Sequence, residues 1–295
     1  MQPSRSFLFC PGNHPRKVEK VFQAGADAVI LDLEDAVAVS EKAATRSPVV
    51  AALGAPRPCR GYVRVNALDT GFTFGDLEAV VAPGVDGIVL PKVETATDLA
   101  KVDWLMAELE AKRGLGVGAI DLMPILETGP GIANARAICA AGGRIARVSF
   151  GAGDYARDMG MDWTRDEAEF AHARAEVVLA SRTAGLEPPI DTVWVDLADT
   201  DGLAASAARV KAMGFQGKMC IHPGQIEPVH RVFTPSADEI ARAAKIVAAF
   251  EKAEAEGSAS IQIEGQFVDY PIVARARRVL ALAEAAGVQA SGDDA

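Results

Sequence analysis

The stretch Val29-Ile30-Leu31-Asp32-Leu33-Glu34-Asp35-Ala36-Val37 runs from a buried-strand pattern directly into three carboxylates. The apolar start has strand composition, rich in β-branched residues. Charge placed at the end of a buried strand costs free energy unless something balances it. A metal, an arginine or water would each serve, and the residues 29–37 alone do not decide among them.

Seven more β-rich runs accompany this one, over 7–9, 62–65, 87–90, 122–126, 147–150, 192–195 and 218–221. Helical patterns lie between them over 14–25, 40–53, 75–82, 95–113, 130–142, 165–185, 202–213 and 224–232, several closed by a glycine such as Gly114, Gly185 or Gly214. This alternation predicts an α/β protein whose residues 5–233 form one (β/α)8 TIM barrel. A doubly wound sheet is the alternative, but it usually has fewer strands, and no GxGxxG follows the first run. Residues 236–256 and about 271–286 read as helices on either side of a Gly/Ser/Gln stretch, 257–267. They make 234–288 a C-terminal helical extension, with 289–295 expected to be a disordered tail.

Bulk composition narrows the function. A formal net charge of −10 argues against a nucleic-acid or anionic membrane surface. The four cysteines are widely spaced, with no CxxC, as in a reduced cytoplasmic protein rather than a disulfide scaffold. No signal-peptide core and no 18-residue apolar span is present.

In a TIM barrel the reactive groups follow the C-terminal ends of the strands. Taken in order, those places hold Arg16 and Lys17, then Asp32, Glu34 and Asp35, Arg64 and Asn66, Lys92 and Glu94, Glu127, Asp154, Asp196 and Asp199, and His222. The carboxylates near this mouth outnumber the counter-charges Arg64 and Lys92, which favours a divalent cation held by oxygen, since no His or Cys pair has zinc spacing. Glu127 and Asp154 end consecutive strands, which lie roughly 4.8 Å apart, so they can share one ion. Plainer readings stand beside this one. The acids 32–35 suit a helix N-terminus, Arg64 suits a structural pair with Asp32, Arg16 and Lys17 suit a solvated helix face, and His222 suits a turn. Thr128-Gly129-Pro130-Gly131 is a plain turn or an anion nest.

Several segments together carry a resemblance: FLFCPGNHPRK (7–17), the stretch 25–46, YVRVNA (62–67), GIVLPKVE (87–94), PILETGPGIAN (124–134), SFGAGDYARDMG (149–160) and GKMCIHPGQI (217–226). In this order they resemble the citrate lyase beta-subunit-like branch of the HpcH/HpaI aldolase superfamily, which includes malyl-CoA and citramalyl-CoA lyases. The resemblance covers about residues 5–286. It implies a (β/α)8 barrel in a homotrimer or dimer of trimers, with the C-terminal helices as a lid on a neighbouring subunit. It implies Mg2+, with Mn2+ as a substitute, on Glu127 and Asp154, with Asp32, Glu34, Asp35 and Lys92 around the ion's waters. It implies substrate binding by Arg64 and an acid/base in Asp269, within GQFVDYP. Gly153, where relatives often carry an acid, and the run ETGPG depart from the usual pattern.

The activity so implied is Mg2+-dependent, reversible carbon–carbon cleavage of a 3-hydroxyacyl-CoA thioester into a 2-oxo acid and an acyl-CoA. Arg16 and Lys17 then become contacts for CoA phosphates. Two other functions use the same residues: a thioesterase on the same acyl-CoA, and the beta subunit of a citrate lyase complex acting on a carrier-bound thioester.

Overall fold

Eight short parallel strands close into one barrel in the computed structural model, which describes residues 4–288. They are β1 (Ser6–Pro11), β2 (Ala28–Asp32), β3 (Arg60–Arg64), β4 (Gly87–Leu90), β5 (Asp121–Leu126), β6 (Ser149–Phe150), β7 (Ile190–Asp191) and β8 (Gly217–Cys220). Each pairs with the next, and β8 pairs with β1, Lys218 standing opposite Ser6. This is the (β/α)8 barrel that the alternation predicts.

Side chains alternate across a strand, so each strand feeds two cores. Phe7, Ala28, Ile30, Tyr62, Val89, Met123, Ile125, Ile190 and Met219 fill the barrel interior. Leu8, Val29, Leu31, Val63, Ile88, Leu90, Leu122 and Leu126 face outward, in the layer between strands and helices. The same period carries on past the apolar residues. Asp32 follows Ala28 and Ile30 on the inward face, Arg64 follows Tyr62, and Glu127 follows Met123 and Ile125. Alternation alone therefore aims all three charged groups into the barrel at its C-terminal mouth.

Four local readings need correction. The seventh strand is Ile190–Asp191, earlier than the expected 192–195. Its register is set by Ile190 opposite Ser149 and Gly217, while Thr192 turns its hydroxyl to the Ala152 amide. The expected helix 130–142 is two short helices, Gly129–Ala133 and Ala135–Cys139, which break at Asn134. A helix at Ala152–Met159 was not anticipated, because Gly151, Gly153 and Gly160 make that stretch read as loop. The stretch 257–267 holds a hairpin, β9 (Ile261–Ile263) with β10 (Gln266–Val268), turned at Glu264 and Gly265.

The described residues divide into two compact units, Ser4–Phe233 and residues 234–288. The second contains the helices Ala237–Ala255 and Tyr270–Ala285 and the β9–β10 hairpin. Its own small core is Ala243, Ile246, Phe250, Val268, Val273 and Ala276. A capping box at Ser236 and Glu239 starts the first of these helices. The expected tail at 289–295 lies outside the described residues. No helix among the described residues is long and apolar enough to cross a membrane.

Fully buried charge ties the barrel to its outer helices. Asp191 on β7 accepts from Arg174 at 2.9 and 3.0 Å and is paired with Lys218 of β8. Arg174 also meets Glu167 at 3.0 Å, and none of these four side chains is exposed. Burial alone would raise the Asp191 carboxyl, but Lys218 and Arg174 outweigh it and hold the group below the usual carboxylate range. Removing one member of a buried ion pair strands the others, at a cost of about 3–5 kcal/mol. Asp191→Ala is expected to lose that much stability in urea unfolding; a loss under about 1 kcal/mol would show that the network carries little.

Candidate active site

The register of β2 and β3 sets Asp32 directly beside Arg64. Arg64 grips Asp32 with two parallel bonds, Nε to Oδ1 and Nη2 to Oδ2, both 2.7 Å. Its Nη1 lies 2.9 Å from Glu34 Oε2 and 3.9 Å from Asp35 Oδ2. The guanidinium carbon stands 4.8 Å above the Phe9 ring, a cation–π contact. Phe9 lies two residues beyond Phe7 on the inward face of β1, and that spacing is the signal by which it was recognisable.

Asp32 is almost wholly buried and also accepts the amides of Glu34 at 2.9 Å and Ala36 at 3.0 Å. Burial would raise its pKa, but Arg64 and these amides hold it below the ordinary range. Burial likewise works against the Arg64 charge, and Asp32 and Glu34 more than offset it, so Arg64 stays protonated. The acids 32–35 thus end a strand and enter a loop; no α-helix starts on them.

Lys92, just past β4, links this pair to the next strands. Its Nζ is bonded to Glu34 Oε1 and lies 3.7 Å from Asp35 and 4.0 Å from Asp154. Its backbone N–H donates to Glu127 Oε1 at 2.9 Å. The register of β5 and β6, with Leu126 opposite Phe150, puts Glu127 beside Gly151. A Cβ at Gly151 would stand 2.4 Å from Glu127 Oε2, so glycine is what lets the carboxyl lie there. Asp154 projects from the first turn of the helix Ala152–Met159 and pairs with Arg157 at 2.6 Å.

Glu127 is perturbed in the opposite direction from Asp32. Burial, then the charges of Asp154 and Glu34, push its carboxyl up to about 8, against the opposing pull of Arg64 and Lys92. The linked side chains comprise five carboxylates (Asp32, Glu34, Asp35, Glu127 and Asp154) and three cations (Arg64, Lys92 and Arg157). Of these carboxyls, Glu127 is the one whose burial and acidic neighbours outweigh the nearby cations most clearly. An all-oxygen donor set with two carboxylates fits Mg2+, which takes one or two carboxylates and keeps several waters. No group of three or more His, Cys, Asp or Glu side chains that could hold a metal occurs among the described residues, so a cation here would rest on two carboxylates with water and substrate oxygens.

The structure thus brings Asp32, Glu34, Asp35, Arg64, Lys92, Glu127 and Asp154 together. Arg16 and Lys17 are exposed at the start of the helix Pro15–Val21 that follows β1. Asp269 belongs to the C-terminal unit, where it caps the helix Tyr270–Ala285 and accepts the Ile272 amide at 3.4 Å. His222 caps a short 3-10 turn, Pro223–Gln225. Thr128 caps the helix Gly129–Ala133, accepting from the Gly131 amide at 3.1 Å, so the segment begins a helix. Asn66 is buried and bonded to Asp76 and the Leu33 carbonyl, which brace the loop after β3.

Because the Asp154 charge raises Glu127, Asp154→Asn is expected to lower the Glu127 midpoint. Carboxyl 13C NMR on cation-free protein should show wild-type Glu127 titrating near pH 8 and the variant at lower pH. An unmoved midpoint would mean that the two carboxyls do not sense each other.

The chain is similar to known proteins over nearly its whole length. The sequence model of the HpcH/HpaI aldolase/citrate lyase family matches residues 5–223. A citrate lyase subunit beta from Leuconostoc mesenteroides subsp. cremoris is 38% identical over 95% of this chain and 93% of its own. An L-malyl-CoA/beta-methylmalyl-CoA lyase from Rhodobacter capsulatus is 36% identical over 97% and 96%. Among solved structures, the protein CitE from Mycobacterium tuberculosis, in complex with magnesium, acetoacetate and coenzyme A, superposes with a TM-score of 0.78 at 31% identity. That match covers 96% of this chain and 98% of that one.

Proposed function

Because the chain belongs to the HpcH/HpaI aldolase/citrate lyase family, and is an enzyme of the lyase class, we propose that it cleaves a 3-hydroxyacyl-CoA thioester into a 2-oxo acid and an acyl-CoA with the help of Mg2+. Malyl-CoA and citramalyl-CoA are the substrates proposed. The observation that carries this reading is the convergence of Glu127 and Asp154 beside a buried, oriented Arg64. The magnesium and coenzyme A of the Mycobacterium tuberculosis structure support it.

Glu127 and Asp154 would hold the cation. When bound, Mg2+ supplies Lewis acidity toward the carboxylate and hydroxyl oxygens of a hydroxy acid. Arg64 has five N–H donors, of which two are given to Asp32, while Nη1 lies 2.9 Å from Glu34 Oε2 as an ion pair. The remaining donors of Arg64 would serve the thioester oxygen, where enolate charge develops as the carbon–carbon bond breaks. Asp32 and Phe9 fix the guanidinium plane beforehand, so no reorganisation is needed during the reaction. Cleavage also needs a group to move the hydroxyl proton. That role is assigned to Asp269, on the resemblance alone, with the C-terminal unit as a lid in a homotrimer. Arg16 and Lys17, exposed beside the mouth, suit CoA phosphates.

A second reading is favoured by the identity with a citrate lyase subunit beta: the same cleavage on a thioester borne by a carrier protein. One assay separates the possibilities. Purified protein with Mg2+ is expected to release a 2-oxo acid and an acyl-CoA from malyl-CoA or citramalyl-CoA. Free CoA with intact hydroxy acid would instead mark a thioesterase, and turnover only of carrier-bound thioester the lyase subunit. No turnover of any of these would overturn the proposal. Glu127→Ala should abolish release, and Arg64→Ala should lower kcat by roughly 100- to 1,000-fold, the usual effect of losing such a donor.

A further inference from the structure

Lys92 has a backbone that its side chain disfavours. Its φ is +52°, in the left-handed region where an L-residue bears a steric penalty that glycine escapes. Among the described residues only Glu167 and Glu264 share that feature without being glycine. Glu264 turns the β9–β10 hairpin, and Glu167 sits in the buried ion network around Arg174. Lys92 stands just past β4, in the loop that turns the chain toward the helix Ala96–Lys112.

The amides explain the conformation. In an extended strand successive N–H groups point to opposite sides. Here the Lys92 N–H donates to Glu127 Oε1 at 2.9 Å and the next N–H, of Val93, donates to the Ile125 carbonyl at 3.3 Å. Both partners belong to β5 or to the residue just after it. Two consecutive amides facing one neighbour require a break from extended backbone, as in backbone nests that cradle anions. Glycine would adopt that backbone without strain but would forfeit the ammonium that meets Glu34, Asp35 and Asp154.

We infer that Lys92 is a positioning residue of the cation site, whose left-handed backbone aims its amide at Glu127 and fixes that carboxyl for the ion. The inference rests on the proposed role of Glu127 as a cation ligand. It separates two functions of one residue: the ammonium balances charge, and the backbone sets geometry. Strain kept at a position where it also orders a ligand is characteristic of functional sites.

The test compares variants that all lack the ammonium and differ in tolerance of positive φ: Lys92→Gly, Lys92→Asn and Lys92→Val. Mg2+ binding to the full chain is measured by titration calorimetry without substrate. Lys92→Gly and Lys92→Asn should bind alike, and Lys92→Val about 5- to 30-fold more weakly, the factor set by the left-handed penalty. Thermal unfolding without cation shows whether each variant folds; if Lys92→Val does not, Lys92→Ala takes its place. Equal affinity of the glycine and valine variants would overturn the inference if Glu127→Gln has lost Mg2+ binding. If Glu127→Gln binds Mg2+ as the wild type does, the reading of Glu127 fails instead, and the inference with it. A merely structural role would lower the unfolding temperature and leave the Mg2+ affinity unchanged.

Discussion

The buried ion pair between Asp32 and Arg64 is the constraint on which the mouth of the barrel depends. Two charges cannot leave water without close mutual satisfaction. Here the register of β2 and β3 supplies it, by placing the two residues side by side on the inward face. Asp32 spends its remaining acceptor capacity on the amides of Glu34 and Ala36, which folds the loop back over the pair. Glu34, so placed, reaches both Arg64 and Lys92. Lys92 in turn connects to Glu127 and Asp154. The chain of contacts runs through consecutive strands, so a disturbance at Asp32 is felt at Glu127.

This chain also explains why the acids are not equivalent. Asp32 is held ionised by an arginine, whereas Glu127 has only a backbone amide and a distant share of two cations against burial and two neighbouring carboxylates. One environment consumes its charge locally. The other leaves a carboxyl that gains most from an added cation. The contrast divides the mouth into a side that orients Arg64 and a side suited to metal.

Much of this was legible in the sequence because strand periodicity is a physical rule. Once Ile30 is inward, Asp32 must be, and the same holds for Tyr62 and Arg64. The plain pairing of Asp32 with Arg64 and the placement of Glu127 follow from where strands end, whereas Asp154 comes from the first turn of the helix after β6. Less legible were features set by neighbours far away in the chain. The short β7 depends on register with β6 and β8, not on the β-branched run 192–195. The helix carrying Asp154 contains Gly153 between flanking Gly151 and Gly160, and its first amide is held by the distant Thr192 hydroxyl. Gly151 matters only through the carboxyl that fills its missing Cβ, and the left-handed Lys92 only through two acceptors on β5. Local pattern carries no trace of such contacts.

The central claim is a division of labour, with Glu127 and Asp154 on the cation and Asp32 on Arg64. Anomalous diffraction from crystals soaked in Mn2+ reads it most directly, because Mn2+ accepts the same oxygen ligands as Mg2+. The account predicts one anomalous peak within coordination distance of Glu127 and Asp154, about 2.0–2.2 Å for so small an ion, with Asp32 still bonded to Arg64. A peak on Asp32 or Asp35, with Glu127 remote from it, would contradict the account.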